Sequence, residues 1–256
     1  MNKKILSISV KVGSKLLSGC ILTLMFANTV IAAYSPPKKP SRPNDPVSSN
    51  STRTGTCSET TQANLTALAP ISHFGQTVSQ QPTFAWFVPD TKSYPMELSL
   101  YEYSINGKGE EIKSFKFSSQ PGIMTFSIPK DEFNFSVGKK YLWQIALLCD
   151  TNNPGKDVYT ELVIEVVPMP INLASQIAQT TNSIERARIY GKAGFWYDAS
   201  AETFKSPQNK AFSLTLLEKL ADLEAKTVST SPLFLKKDLQ NQASQIKKVI
   251  EIERQQ

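Results

Sequence analysis

The chain has 256 residues, of which 40% are hydrophobic and 20% are charged, and its formal net charge is +6. Four lysines lie within the first 32 residues, which contain no Asp or Glu, so removal of that segment lowers the net charge to +2. Because the basic character belongs largely to this segment, the composition gives no support to a nucleic-acid partner.

The N-terminal segment predicts export. A lysine-rich start is followed over residues 16–33 by apolar and small residues without a charge. This pattern is typical of a secretory signal peptide, so we assign residues 1–32 to the signal and expect cleavage after Ala32 or Ala33, with the mature protein periplasmic or secreted and without a stable membrane span. Two alternatives are an uncleaved anchor, since the apolar run is long enough, and lipid attachment at Cys20, although most of the apolar run follows that cysteine.

The segment after the signal predicts a tether. Residues 33–56 are rich in Pro, Ser and Thr and show no periodic apolar positions. Such a segment cannot bury enough apolar surface to offset the entropy of ordering, so we expect it to be disordered.

Cys57 and Cys149 are the cysteines that remain after the signal. An even number of cysteines in an oxidising compartment predicts a disulfide, and two separate buried thiols are the alternative. We expect no metal site and no cofactor, because the chain has one histidine and no C-x-x-C pattern.

Residues 57–168 predict a β-domain, because hydrophobic residues recur there mostly at every second position. The predicted strands are 82–89, 97–104, 111–117, 123–128, 141–149 and 160–167. The glycines at 107 and 109 suit a hairpin turn. About seven short strands separated by turn residues predict an antiparallel β-sandwich of the immunoglobulin or fibronectin-III-like kind.

From residue 169 to 256 the apolar spacing becomes helical, after Pro168 and Pro170 end the sheet region. The predicted helices are 171–179, 183–194, 195–204, 210–225 and 232–254. Ser183 is the expected cap of the second helix. The chain is therefore predicted to be α+β, with the β-sandwich followed by a short helical region.

Several stretches together carry a family resemblance. They are Cys57 after a Gly/Thr-rich segment, LTALAP at 65–70, PTFAW at 82–86, GKKY at 138–141, LLCD at 147–150 and ARIYGKAGFWYDA at 187–199. Over residues 57–232 the chain resembles the cyanobacterial family known as domain of unknown function 928. The resemblance implies export, a β-domain followed by helices, and no established activity, and it carries over no catalytic residue.

The block at 187–199 is also similar to half a tetratricopeptide repeat. In that motif small residues let two helices approach and aromatic residues fill the groove between them. Tyr190, Gly194, Trp196 and Tyr197 are therefore candidates for partner binding in the groove of a helical hairpin. The alternative is a single hairpin that packs on the sandwich, with the same residues in interhelix packing.

A histidine and a set of aromatic residues are two further candidate sites. His73 is the only histidine, so any histidine-based triad would have to use it, and we predict an ordinary loop residue. The aromatic residues of the second and third predicted strands form either an exposed sugar-stacking face or the second half of the core; they are Tyr101, Tyr103, Phe115 and Phe117.

The sequence favours an exported, non-enzymatic module that binds a protein or cell-envelope partner. We expect no enzymatic activity, because no phosphate-binding loop, dinucleotide-binding motif or nucleophile elbow occurs. One alternative is an envelope-carbohydrate hydrolase that uses loop carboxylates, such as those at 110–111 and 131–132. The other is a structural component of the cell surface.

Overall fold

The computed structural model describes residues 33–41, 56–57, 63–150 and 152–256. The predicted signal, with Cys20, and residues 42–55 of the predicted tether lie outside the described residues. Within the described part, the protein has eight β-strands in two sheets and five α-helices, all of which follow the last strand. The protein is therefore mixed α+β, with the helices C-terminal as predicted.

The strands are short and form a three-stranded and a five-stranded sheet. Their bounds are β1 (Thr66–Ala67), β2 (Gly75–Thr77), β3 (Thr83–Val88), β4 (Pro95–Ser104), β5 (Gly107–Ser118), β6 (Gly122–Ser127), β7 (Lys140–Leu147) and β8 (Val158–Val166). The strand orders are β1-β3-β6 and β2-β8-β7-β4-β5. The pairs are antiparallel except that β2 runs parallel to β8, so the prediction of a purely antiparallel sheet was wrong there. A three-residue strand is too short to show a period in the sequence.

Aromatic side chains fill the space between the two sheets. The ring of Phe84 in β3 lies 4.9 Å from that of Trp143 in β7. On the same inner face, Trp86 of β3 lies 5.9 Å from Phe117 of β5, which also stacks on Phe126 of β6 at 5.4 Å. Offset and tilted ring pairs at these distances add to the free energy gained from burying the rings themselves.

The helices are α1 (Ile171–Ala178), α2 (Ser183–Ala193), α3 (Trp196–Phe204), α4 (Lys210–Thr227) and α5 (Leu233–Gln255). The side chain of Asn182, rather than the predicted Ser183, caps α2 by accepting a hydrogen bond from the Glu185 amide at 3.0 Å. Asn and Ser are similarly good caps, so the sequence pattern fixed this position only to within one residue.

The C-terminal helix is docked on the β-domain rather than free. The Gln242 amide in α5 donates to the carbonyl of Ala67 at 2.8 Å, and the Gln245 side chain accepts from the Asn64 amide at 3.0 Å. Buried residues of both sheets and of all five helices belong to one hydrophobic cluster. The β-region and the helical region, predicted separately, thus share one core.

Cys57 and Cys149 form a disulfide across 92 residues of sequence, with Cα atoms 5.1 Å apart. The bond ties the segment before β1 to the end of β7. None of the helices in the described ranges combines the length and the apolarity that a bilayer crossing needs.

Candidate functional site

The hairpin residues named from the sequence lie in the interior. The indole N–H of Trp196 donates to the carbonyl of Leu68 at 2.8 Å, and that side chain is 0% exposed. The hydroxyl of Tyr197 accepts a 2.8 Å hydrogen bond from the indole of Trp143 in β7. Tyr190 is also buried. Trp196 and Tyr197 therefore join the hairpin to the β-region.

Residues 33–41, which we call the arm, run past the hairpin, and residues 33–37 lie against it. The Ser35 amide donates to the carbonyl of Gly191 at 3.0 Å. A Cβ atom at Gly191 would lie 2.1 Å from the carbonyl oxygen of Ala33, and one at Gly194 would lie 3.0 Å from the nitrogen of Pro37. Both positions thus need glycine because the backbone of the arm approaches them closely.

The arm was predicted to be part of the disordered tether, but the structure packs it against the hairpin. Ala33 and Tyr34 are buried, and the Tyr34 ring meets that of Trp196 edge-on at 5.0 Å. An alanine followed by a tyrosine supplies the apolar surface that the rest of the Pro-rich segment lacks.

His73 lies in a buried hydrogen-bonded network, in contrast to the ordinary loop position predicted for it. Its Nε2 atom is 2.8 Å from the hydroxyl of Tyr34 and its Nδ1 atom is 2.9 Å from that of Ser72, which donates to Glu224 at 3.1 Å. One neutral tautomer satisfies these contacts: Nδ1–H donates to Ser72 and Nε2 accepts from Tyr34. The network links the arm, the loop after Pro70 and α4.

Two buried carboxyls anchor the helices to the segment 70–78. Glu224 of α4 accepts from the amides of Ile71 and Ser72, each at 3.1 Å, and Asp198 of α3 accepts from the Val78 amide at 3.0 Å. Burial raises the pKa of Asp198 and that of Glu224 to about 7 each, although the amide donors favour the charged forms. Both groups are enclosed, so they serve the interior rather than a surface site.

The four aromatic residues of β4 and β5 do not share one face. Phe115 packs inward against Phe126 at 5.3 Å, and Phe117 also faces the core. Tyr101 and Tyr103 point to the outer face of the five-stranded sheet, where they pack on a second, smaller cluster of buried residues; that cluster is Phe74, Leu142 and Val163. The outer face is therefore the partly exposed aromatic surface.

A concavity of about 650 Å³ opens at one end of this outer face. Its wall includes Phe74 and Tyr103, whose rings meet edge-on at 5.6 Å. Ile105, at the tip of the β4–β5 hairpin, lines the opening and is 87% exposed. A concave surface with aromatic walls and an exposed aliphatic side chain at its edge is typical of a binding site.

Charged groups of both signs line the same concavity. Glu102 and Lys139 are exposed on it. The ammonium of Lys140 lies 5.1 Å from the centre of the Phe74 ring and 3.5 Å from a carboxylate oxygen of Glu165. Ser41, the last residue of the arm, is also part of the lining. The site thus offers an aromatic wall, one carboxylate, two ammonium groups and several hydroxyl groups to a polar ligand.

The carboxylates considered for hydrolysis lie elsewhere, and Glu110 and Glu111 belong to strand β5 rather than to a loop. The residues at 110–111 and 131–132 are exposed, and Glu132 pairs with Lys113 at 2.6 Å. In the described ranges, no three His, Cys, Asp or Glu side chains are placed to hold a metal ion.

Comparison with known proteins gives one family. A family model described as Domain of Unknown Function (DUF928) matches residues 48–233. No curated protein matches the chain. The matched range covers both sheets and helices α1–α4 and ends where α5 begins, in line with the extent of the resemblance seen in the sequence.

Proposed function

The chain belongs to the family described as Domain of Unknown Function (DUF928), and we propose that it is an exported, non-enzymatic module that binds a cell-envelope or protein partner in the concavity on the outer face of the five-stranded sheet. The observation that carries this proposal is the concavity itself, in which an aromatic wall of Phe74 and Tyr103 lies beside the exposed side chain of Ile105. An aliphatic side chain 87% exposed at the mouth of a concavity gains free energy when a partner covers it.

Export is supported by two features of different kinds. The first 33 residues have the pattern of a secretory signal. The disulfide between Cys57 and Cys149 is a bond that persists in oxidising compartments and is rare in the reducing cytosol. We therefore place the mature protein in the periplasm or outside the cell.

The β-domain is an immunoglobulin-like sandwich in this proposal. The order β8-β7-β4-β5 matches the G-F-C-C′ edge of variable-type immunoglobulin domains, and β3 and β6 take the places of strands B and E in the opposite sheet. Domains of this architecture commonly bind ligands at sheet faces or end loops, but the architecture alone does not identify the ligand.

The hairpin of α2 and α3 has a packing role in the proposal, and it does not bind the envelope partner. Trp196 and Tyr197 are enclosed, and the arm covers the groove between the helices. The outer face of the five-stranded sheet, in contrast, is open to a large partner.

The test is the binding of the purified exported protein to isolated cell envelope, measured by co-sedimentation. Ile105→Asp places a charge at the mouth of the concavity, and we expect at least tenfold weaker binding. Ile171→Asp is the matched control, because Ile171 is 88% exposed at the start of α1, and we expect binding within twofold of the native protein. Protease treatment of the envelope tells a protein partner, which it destroys, from a glycan or lipid.

Two results contradict the proposal. One is an equal effect of the two substitutions on binding. The other is the failure of the native protein to sediment with the envelope fraction at every protein concentration tested. Melting curves of both variants show whether each one is folded, since exposed positions are expected to change stability little.

A further inference from the structure

The backbone of the arm is in direct contact with the backbone of α2. At Gly191 there is no room for a Cβ atom, because the Ala33 carbonyl oxygen would lie 2.1 Å from it. The carbonyl of the same glycine accepts the Ser35 amide at 3.0 Å. The groove therefore contacts the main chain of the arm directly, and any side chain at position 191 would displace the arm.

Tyr34 is the anchor of the arm. Its hydroxyl reaches Nε2 of His73 at 2.8 Å, and its ring packs edge-on against Trp196 at 5.0 Å. Burial raises the pKa of the Tyr34 hydroxyl well above its ordinary value, with the carboxylate of Glu224 adding to the effect, so it stays a neutral donor. A buried aromatic side chain with a satisfied hydroxyl is the usual form of a binding hot spot.

The other end of the arm is held separately. Pro37 lies over Gly194. This glycine follows the last residue of α2 and adopts a φ of +94°, a left-handed conformation in which the helix cannot continue. The carbonyl of Ser41 accepts the Phe74 amide at 2.9 Å. Fifteen residues separate Ser41 from the disulfide-bonded Cys57, so the local contacts, and not a short covalent connection, determine where the arm lies.

We propose that the groove of the α2–α3 hairpin is a peptide-binding site, and that its ligand is a short segment with the pattern small residue, Tyr, small residue, Pro, Pro, which this chain supplies from residues 33–37. The tyrosine gives the binding energy, the glycines admit the backbone, and the prolines reduce the entropy that the segment loses on binding. The groove does not depend on the function proposed for the concavity, although the two meet at Ser41, the last residue of the arm, which is part of the lining of the concavity.

The experiment separates the arm from the rest of the folded chain. A protease site replaces residues 46–51 of the exported protein, and the chain is cut in the native state or, where the site is shielded, in the unfolded state before refolding with the disulfide intact. Exchange of the bound fragment for a labelled synthetic peptide of residues 33–41 is then followed by fluorescence anisotropy.

We expect the fragment to stay with the protein in size-exclusion chromatography and to exchange for the labelled peptide. A Tyr34→Ala peptide is expected to bind at least tenfold more weakly, and a Tyr34→Phe peptide about fivefold more weakly because one hydrogen bond is lost. Gly191→Ala in the protein is expected to weaken binding at least tenfold, whereas Lys192→Ala, an exposed position on the same helix, leaves it unchanged.

Either of two results overturns the proposal. In one, the fragment is lost and the folded remainder does not bind the peptide. In the other, the fragment cannot exchange without unfolding the remainder, which makes the arm part of the core rather than a ligand. The peptide variants keep the test decisive even where Gly191→Ala fails to fold.

Discussion

Asp198 and Glu224 are two buried carboxyls whose pKa values lie well above the ordinary range. Each is enclosed, each accepts backbone hydrogen bonds from the segment that enters or leaves β2, and each has a pKa of about 7. They join α3 and α4 to that segment, which is where the helical region meets the sheets. Because the raised pKa values come mainly from burial, ionisation of either carboxyl lowers the free energy of unfolding.

The first prediction concerns the pH dependence of stability. In the unfolded chain these two carboxyls titrate near 3.8 and 4.5. Between about pH 4 and pH 7 the folded state therefore binds more protons, and the free energy of unfolding falls as the pH rises through this window, then levels off above pH 7. We expect the free energy of unfolding of the native protein to fall by an amount on the order of a few kcal/mol across this window. The double variant Asp198→Asn/Glu224→Gln is expected not to show this fall.

Urea unfolding at pH values from 4.5 to 8 measures this dependence. Asp131→Asn is the control, since Asp131 is exposed, and it keeps the native profile. A double variant with the same pH profile as the native protein would show that neither carboxyl is linked to folding in this range.

A second prediction tests whether the hairpin aromatics serve packing. Tyr197→Phe removes the acceptor of the Trp143 indole N–H, and a buried donor left without a partner costs about 1–3 kcal/mol. Tyr94→Phe makes the same change at a half-buried tyrosine on the loop before β4 and is expected to cost less than about 0.5 kcal/mol. Chemical denaturation measures the free energy of unfolding of both variants. An equal loss of stability in the two variants would contradict the packing role of Tyr197.

At the scale of elements, periodicity predicted most strands and helices well. The alternation in β4 places Met96, Leu98 and Leu100 in the core, and all three are fully buried. The helix predicted at 232–254 is α5 (Leu233–Gln255), displaced by one residue at each end. These elements are long enough to show a period, and their buried faces carry it.

The elements that the sequence did not reveal are short or depend on distant partners. β2 has three residues, so its parallel pairing with β8 left no pattern. His73 was predicted to be a loop residue because the network around it depends on distant positions. Tyr34, which contacts Nε2, lies 39 positions away, and Glu224, which accepts from the neighbouring Ser72, lies 151 positions from His73. The flanking Ile71 and Phe74 were the available signal that this loop is buried. The concavity likewise combines four separate segments, which no local pattern brings together.

A third prediction concerns the docking of α5 on α4 and β1. Leu239→Ala removes a fully buried side chain from its inner face and is expected to cost about 2–5 kcal/mol. Leu233→Ala makes the same change at a position on the same helix that is 85% exposed, and it is expected to stay within about 0.5 kcal/mol of the native protein. Similar melting temperatures for the two variants would mean that the helix is not docked in solution.

At the scale of the whole molecule, the disulfide and the arm are the two features that bear on the proposed export. The bridge closes a loop of 92 residues, for which the chain-entropy model gives a stabilisation of about 4–5 kcal/mol as an upper estimate. The arm begins at Ala33, which packs on Gly191. Cleavage of the signal after Ala32 keeps this contact, whereas cleavage after Ala33 removes it.

The fourth prediction follows from these two features. The intact mass of protein recovered from its native compartment should correspond to a chain that starts at Ala33 and carries one disulfide. Alkylation without reductant should add no mass, because Cys57 and Cys149 are joined. A mass that includes the signal, or the alkylation of two thiols, would contradict the proposed export.

The central claim is that the exported protein engages its partner through the concavity at the end of the five-stranded sheet. The most direct measurement is photo-crosslinking in the producing cells, with a photoreactive amino acid at position 105 or, for comparison, at position 171. We expect a crosslinked adduct in the envelope fraction from position 105 and none from position 171. Adducts from position 171 alone, or from neither position, would contradict it.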